Sequence, residues 1–184
     1  MIDLERYLLW ELDNSDVASI ELFLPVDPAC LPTAQQKGFD RRRGRFYTKP
    51  RVREAKARLE WAISRALADW STVADGCPFP SLPMAGAVMV RLDFIYNPKG
   101  LRAADRGAPK PSRPDLDNLA KLVLDAITAV KSIWRDDSQV AQLTLAKRFA
   151  RANEVAHIEL EVKPHNIHND NKLKGGTGNA CHAE

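Results

Sequence analysis

The chain has 184 residues, of which 45% are hydrophobic and 28% charged, and its net charge is +3 at neutral pH. These values predict one soluble globular domain with its own core. Apolar runs are shorter than the roughly 18 residues that span a bilayer, and residues 1–5 lack the basic stretch of a secretory signal. Three widely spaced cysteines do not fit a zinc ribbon or a disulfide framework. We therefore expect a cytoplasmic protein with no membrane partner.

The first half of the chain predicts one strand and one helix around a long loop. Residues 1–18 are expected to form an N-terminal extension, either a short helix or a flexible arm. A strand is predicted over 18–25, where Ile20, Leu22 and Leu24 alternate with other residues. Residues 26–49 are rich in proline, glycine and arginine and predict a loop, in which Phe46 and Tyr47 can stack on an unpaired base or pack locally. Residues 50–70 show helical spacing.

The second half predicts one helix among three strands. A proline-containing linker (71–83) precedes a strand at 85–96, and a helix is predicted over 117–130. Two further strands are predicted at 140–149 and 154–162, Trp134 is expected in the core, and 164–184 is expected to be a disordered tail. This order predicts an α+β fold, in which residues 19–163 form a single domain with a small mixed β-sheet packed with two main helices.

Positive charge is concentrated in two stretches. Residues 37–58 contain ten basic residues and two acidic ones, and residues 99–113 form a second basic stretch. Such clusters neutralise phosphates and release counterions, which gives salt-sensitive affinity for nucleic acid. A solvated, charged surface is the alternative, but two clusters beside one acidic motif favour nucleic-acid binding.

The acidic motif consists of two carboxylate pairs. Asp115 and Asp117 lie at the predicted start of the second helix, and Asp136 and Asp137 follow about a helix length later. Pro114 disfavours helix before Asp115, and extended backbone would point Asp115 and Asp117 to one side. Magnesium prefers hard oxygen ligands and binds through one or two carboxylates plus water and substrate phosphates. If the chain reverses after the helix, all four carboxylates can meet in a metal site that serves phosphodiester cleavage.

A lysine lies on the same helical face as Asp117. Lys121 follows it by four residues, so its ammonium can contact a scissile phosphate. Spacing alone leaves two structural interpretations open. Asp117, Lys121 and Asp125 can form a simple ion-pair ladder, and Asp115 can act only as a helix N-cap.

Three motifs closely resemble the RusA family of Holliday-junction resolvases. They are residues 113–121 (Arg-Pro-Asp-Leu-Asp-Asn-Leu-Ala-Lys), 124–126 (Leu-Asp-Ala) and 133–140 (Ile-Trp-Arg-Asp-Asp-Ser-Gln-Val). Residues 43–50 (Arg-Gly-Arg-Phe-Tyr-Thr-Lys-Pro) are similar to that family's basic N-terminal loop. The resemblance covers about residues 19–163. It implies a RusA-like fold, a homodimer, four-way or branched DNA as substrate, and Mg²⁺ as the cofactor with Mn²⁺ as a substitute.

The resemblance also implies roles for individual residues. Asp115, Asp117 and Asp137 match the family's metal-binding carboxylates, and Lys121 matches its catalytic lysine. Asp136 is the alternative third ligand, because the connection before it is about one residue longer than in the family; loops absorb insertions more easily than sites do, which favours Asp137. The residues expected to hold the DNA backbone are Arg41, Arg42, Arg43, Arg45, Lys49 and Arg113.

The sequence thus predicts a magnesium-dependent endodeoxyribonuclease that resolves Holliday junctions by paired symmetric nicks. Two nicks related by symmetry suit a two-fold dimer with two active sites. The rival enzyme is a broader branched-DNA or flap nuclease on the same fold. Two non-enzymatic rivals are a DNA-binding protein, which would not need the three aspartates, and a structural protein whose acidic residues are caps and ion pairs.

Overall fold

The computed structural model describes residues 19–32, 37–73 and 82–165 of the chain. The predicted N-terminal extension, and all but the first two residues of the predicted tail, lie outside these ranges. The α+β class is confirmed. The helices and strands of the described residues are, in chain order, β1 (Ile20–Leu24), β2 (Lys37–Asp40), β3 (Arg45–Thr48), α1 (Pro50–Val73), β4 (Val88–Tyr96), α2 (Leu116–Val130), β5 (Val140–Phe149) and β6 (His157–Pro164).

Four strands form the predicted mixed sheet, in the order β1-β6-β4-β5. β4 runs parallel to β5 and antiparallel to β6, which in turn pairs antiparallel with β1. The turn between β5 and β6 crosses the end of β4, where the Ala150 N–H donates to the Tyr96 carbonyl at 2.8 Å. β5 and β6 therefore flank β4 instead of pairing with each other.

Both helices pack on one face of this sheet. α1 contacts α2 and β1, and the buried side of α2 consists of Leu119, Ala120, Leu122, Val123, Ala126 and Ile127. Trp134 is fully buried, as predicted, and its indole N–H donates to the Thr128 hydroxyl at 2.9 Å. Among the described helices, none has the length and apolar character needed to cross a membrane.

The predicted loop over residues 26–49 is wrong in its second half, which forms a two-stranded hairpin of β2 and β3. Residues 41–44 make the turn, which Gly44 closes at a φ of +61°. The Asp40 carboxylate accepts from the N–H groups of Arg42 and Arg43 at 3.0 and 3.2 Å. No residue of the hairpin is buried, so it lacks the buried alternating face by which strands are recognised in a sequence.

The direction of α2 fixes where the acidic motifs lie. Before α2, the Pro114 carbonyl accepts from Lys147, near the end of β5. After α2, the Gln139 amide donates to the Met84 carbonyl at 2.8 Å, just ahead of β4. The 15 residues of α2 span about 22 Å. The segments before and after the helix therefore lie at opposite ends of the β4–β5 pair.

Candidate active site

Asp115 and Asp117 lie at the start of α2 with free carboxylates. Asp115 occupies the N-cap position on extended backbone (φ −73°, ψ 144°), yet its side chain makes no capping hydrogen bond. Asp117 is in the first turn, and both side chains are exposed. Within the described residues neither carboxylate has a hydrogen-bond or ion-pair partner. Two unpaired carboxylates two residues apart fit a hard divalent cation, whereas a capping role for Asp115 finds no support.

Only half of the possible ion-pair ladder on α2 forms. The Lys121 ammonium lies 3.7 Å from the Asp125 carboxylate, and no pair with Asp117 forms among the residues described. The Lys121 side chain is 59% exposed. Since exposed pairs of this kind contribute little free energy, Lys121 can leave Asp125 for a phosphate at small cost.

Two lysines to which the sequence interpretation gave no individual role hold the turn just before Asp115. The Lys147 ammonium donates to the carbonyls of Ser112 and Pro114 at 2.8 and 2.7 Å. The Lys110 ammonium donates to the Ser112 carbonyl at 3.0 Å and to the Arg113 carbonyl at 2.6 Å. Burial, and then the charge of Lys147, lower the pKa of Lys110. Lys110 belongs to the basic stretch of residues 99–113, but nothing in the sequence spacing marks Lys147, because β5 brings it to the turn.

Replacing Lys147 by methionine is expected to lower the free energy of unfolding by about 2 kcal/mol, because hydrogen bonds to a charged group contribute about 1.5–3 kcal/mol each. It is also expected to slow DNA nicking, since the backbone that carries Asp115 loses a support. Urea unfolding measures the first effect. Lys99→Met, at an exposed position, is the control, and equal stability losses in the two variants would contradict a role for Lys147 in holding the turn.

The second acidic pair forms a short 3-10 turn ahead of β5. Asp136 caps this turn, and its carboxylate accepts from the Ser138 N–H at 3.0 Å. The hydrogen bonds from Ser138 lower the pKa of Asp136. The Asp137 side chain is exposed, and the structure gives it no partner among the described residues. Of the two, Asp137 therefore has the carboxylate without a partner among the described residues, whereas the Asp136 carboxylate accepts hydrogen bonds within the turn.

The structure does not bring Asp137 alongside Asp115 and Asp117 within one chain. Asp137 precedes Val140, which pairs with the first residue of β4. The turn before Asp115 is held by Lys147, seven residues further along β5, or about 23 Å of strand. The predicted convergence of both acidic pairs through a reversal of the chain is therefore not found in a single copy.

A different group can hold a metal ion on the opposite face of the sheet. One ligand atom each from Glu154, His157 and Glu159 lies within 4.8 Å of the others, the one such group of three in the described part of the chain. Arg148, however, donates to both Glu154 carboxylate oxygens at 2.7 Å. The group is thus already an ion-pair network.

Glu154→Gln tests this network through its pH dependence. The hydrogen bonds from Arg148 hold the pKa of Glu154 at about 2, well below its usual 4.5. A carboxylate with a depressed pKa stabilises the fold above pH 4.5, and this contribution is lost as the pH falls toward 2. Discounted for partial exposure, the loss is about 2 kcal/mol. Urea titrations at pH 6 and pH 3 should show a smaller acid loss in Glu154→Gln; an unchanged loss would contradict the assignment.

The open face of the sheet is acidic and unsuited to DNA. A cavity of about 540 Å³ there is lined by four carboxylates and one guanidinium, with apolar side chains between them. The charged residues are Glu21, Asp93, Glu159, Glu161 and Arg91. Negative charge repels a phosphate backbone. DNA is therefore favoured on the other surfaces of the molecule.

The predicted DNA-binding residues are all exposed. Arg41, Arg42 and Arg43 lie in the turn of the hairpin, and Arg45 begins β3. Lys49 joins the hairpin to α1. Arg113, exposed as well, lies two residues before Asp115. A single arginine, Arg113, therefore lies just before the free carboxylates, whereas most of the predicted DNA-binding residues lie on the hairpin.

Free carboxylates at a helix start, a neighbouring lysine and a cationic hairpin are the features of a nuclease that cuts a phosphodiester backbone with the help of a metal. The family model described as endodeoxyribonuclease RusA matches residues 28–163. The chain therefore belongs to the RusA family, and the protein is an endodeoxyribonuclease of this family of Holliday-junction resolvases. No curated protein matches the chain.

Proposed function

We propose that this endodeoxyribonuclease resolves four-way DNA junctions by two symmetric nicks in a magnesium-dependent reaction. The observation that carries the proposal is the pair of unpaired carboxylates of Asp115 and Asp117 at the start of α2. A folded protein usually gives an N-cap aspartate a capping hydrogen bond. Leaving both carboxylates free, on a turn held by two lysines, suits a site that must receive a cation and a phosphate.

The donor set favours Mg²⁺, with Mn²⁺ as a substitute. Asp115, Asp117 and Asp137 would supply only hard carboxylate oxygens. When bound, Mg²⁺ stabilises charge on the phosphoryl oxygens and lowers the pKa of an attacking water. The group of Glu154, His157 and Glu159 suits a cation less well, because the Arg148 guanidinium already neutralises Glu154.

The remaining residues would bind and orient the DNA. Lys121, one helical turn after Asp117, would contact the phosphate that is cut and balance the charge that develops there. Arg113 would hold the neighbouring backbone. The arginines of the hairpin (Arg41, Arg42, Arg43 and Arg45) and Lys49 would hold the phosphates of the junction arms, which gives affinity that falls steeply with salt.

We infer further that the enzyme acts as a homodimer whose two copies share each site. Asp137 lies at the opposite end of the β4–β5 pair from Asp115 and Asp117, so one chain cannot offer all three carboxylates to one ion. In a two-fold dimer, the partner can supply Asp137 to the pair at the start of α2, and the reciprocal arrangement creates a second site. Two sites related by symmetry account for two symmetric nicks.

The test is cleavage of a labelled four-way junction, a flap and a linear duplex, each with and without Mg²⁺. Paired nicks at symmetric positions of the junction, dependent on Mg²⁺ and absent from the duplex, are the expected result. If the flap were cut as fast as the junction, the proposed activity would be cleavage of branched DNA in general instead of junction resolution. Cleavage of the junction at full rate in the presence of EDTA would contradict the metal requirement.

A further inference from the structure

The hairpin of β2 and β3 presents aromatic rings that the fold does not use. Phe39 and Phe46 lie directly opposite each other in the hairpin register. Their ring centroids are 5.0 Å apart, with the planes tilted by 56°. The two side chains are still 52% and 71% exposed. Neither ring belongs to the hydrophobic core, so packing within the fold does not explain them.

The third aromatic side chain of the hairpin has a structural explanation. Tyr47 pairs with Gly38, and a side chain at Gly38 would overlap the Tyr47 ring. Tyr47 therefore covers a glycine, a known way of supporting a strand. Because side chains alternate along a strand, Phe39 and Phe46 lie on the other face of the hairpin and have no such function.

Charge around the two phenylalanines identifies the kind of ligand. Residues 37–49 contain six basic residues and one acidic residue. The acidic residue, Asp40, is occupied by the turn, where it accepts from two backbone N–H groups. A second copy that met this hairpin through its own would bring two strongly basic segments together, and their like charges would repel. Exposed aromatic rings inside a cationic surface instead match nucleic acid, whose bases stack on rings while its phosphates bind the cations.

We propose that Phe39 and Phe46 form a stacking site for unpaired bases at the branch point of a DNA junction. The proposal deepens the proposed function and rests on it. Bases inside a linear duplex are paired and stacked on both faces, so the rings cannot reach them, whereas the base pairs at an open branch point lack one stacking neighbour and open more easily. The arginines bind any phosphate backbone. The phenylalanines therefore provide the preference for branched DNA over duplex, and the arginines provide affinity for both.

The test compares affinities for a four-way junction and for a linear duplex in EDTA, where no cleavage occurs. Phe39→Ala and Phe46→Ala are each expected to reduce junction affinity roughly 10-fold, and the double variant up to about 100-fold, the range for losing base stacking. Duplex affinity should stay unchanged. A 2-aminopurine at the branch point should also lose the quenching that wild-type protein causes.

Three further variants complete the experiment. Trp61→Ala removes an aromatic ring that is 65% exposed on α1 and should leave both affinities unchanged. Arg42→Ala should weaken junction and duplex binding alike. Phe46→Leu keeps apolar bulk without an aromatic face and should behave like Phe46→Ala. Thermal unfolding should match wild type in every variant, because no residue of the hairpin is buried and the Trp61 side chain is largely exposed.

Several results would overturn the stacking site. One is that the double alanine variant has the same ratio of junction affinity to duplex affinity as Trp61→Ala. A second is that the alanine variants lose junction affinity and duplex affinity to the same extent. A third is that Phe46→Leu keeps the full preference for the junction over the duplex. Conversion of a wild-type dimer into monomers by the alanine variants would make the patch an interface between copies. Because binding is measured without cleavage, absence of junction nicking by wild type would overturn the proposed function separately.

Discussion

Asp117→Asn is expected to reduce the rate of magnesium-dependent junction nicking by roughly 10²- to 10³-fold, the range for losing one group that stabilises charge in a transition state. The amide keeps the shape of the side chain but removes a negative charge from the metal site. Since the Asp117 carboxylate has no partner among the described residues, the folded protein should tolerate the change. Single-turnover cleavage of a labelled four-way junction measures the effect.

Two measurements separate this loss from damage to the fold. Asp117 lies in the first turn of α2, where a negative charge contributes about 0.5 kcal/mol through the helix dipole. The melting temperature of Asp117→Asn should therefore fall only slightly, and junction affinity in EDTA should be retained. Asp69→Asn, at an exposed position on α1 where the carboxylate pairs with Arg65, is the control for loss of a surface carboxylate far from the start of α2. Equal nicking by both variants would remove Asp117 from the site.

A mixture of two inactive variants should recover activity if the two copies share each site. Asp117→Asn and Asp137→Asn are each expected to be inactive alone. In a mixed dimer, one site combines both substitutions, and the other combines an intact Asp117 with an intact Asp137 from the partner. Random exchange makes half of the dimers mixed, so roughly one quarter of the wild-type sites return. These dimers should make single nicks, because each has one intact site.

The recovery experiment distinguishes sharing from a site within one chain. If Asp115, Asp117 and Asp137 acted together in a single copy, every site of a mixed dimer would contain one substitution and no activity would return. Refolding the variants together from urea ensures that subunits exchange. Mixing Asp117→Asn with Asp115→Asn is the control, since both residues lie at the start of α2 and their mixture should stay inactive.

Those elements of the fold with a buried face could be predicted from the sequence. β1 alternates buried and exposed residues over its whole length, and α2 buries a continuous stripe. Both patterns arise because burial repeats with the period of the element. The hairpin has no buried face, so its residues follow no such period. The pairing of β4 with both β5 and β6 depends on long-range contacts that local periodicity does not encode.

The candidate site was predictable only where its residues are neighbours in the sequence. Asp115, Asp117 and Lys121 lie on two successive turns of chain, so their spacing placed them at one helix start. Lys147 reaches the same turn from β5, and its position in the sequence does not indicate this contact. The expected approach of Asp137 failed for a physical reason. α2 carries the chain about 22 Å away, and the segment that follows it leads into the start of β5.

If two copies share each site, the placement of the two acidic groups at opposite ends of the β4–β5 pair has a kinetic consequence. A monomer would lack part of the set of metal ligands and would not cleave DNA of any shape. At enzyme concentrations below the dissociation constant of the dimer, the nicking rate would then rise with the square of the concentration. At concentrations above it, the rate would rise linearly. With such a dependence, monomers would not cut intact duplex, and cleavage would occur only where two copies assemble on one junction.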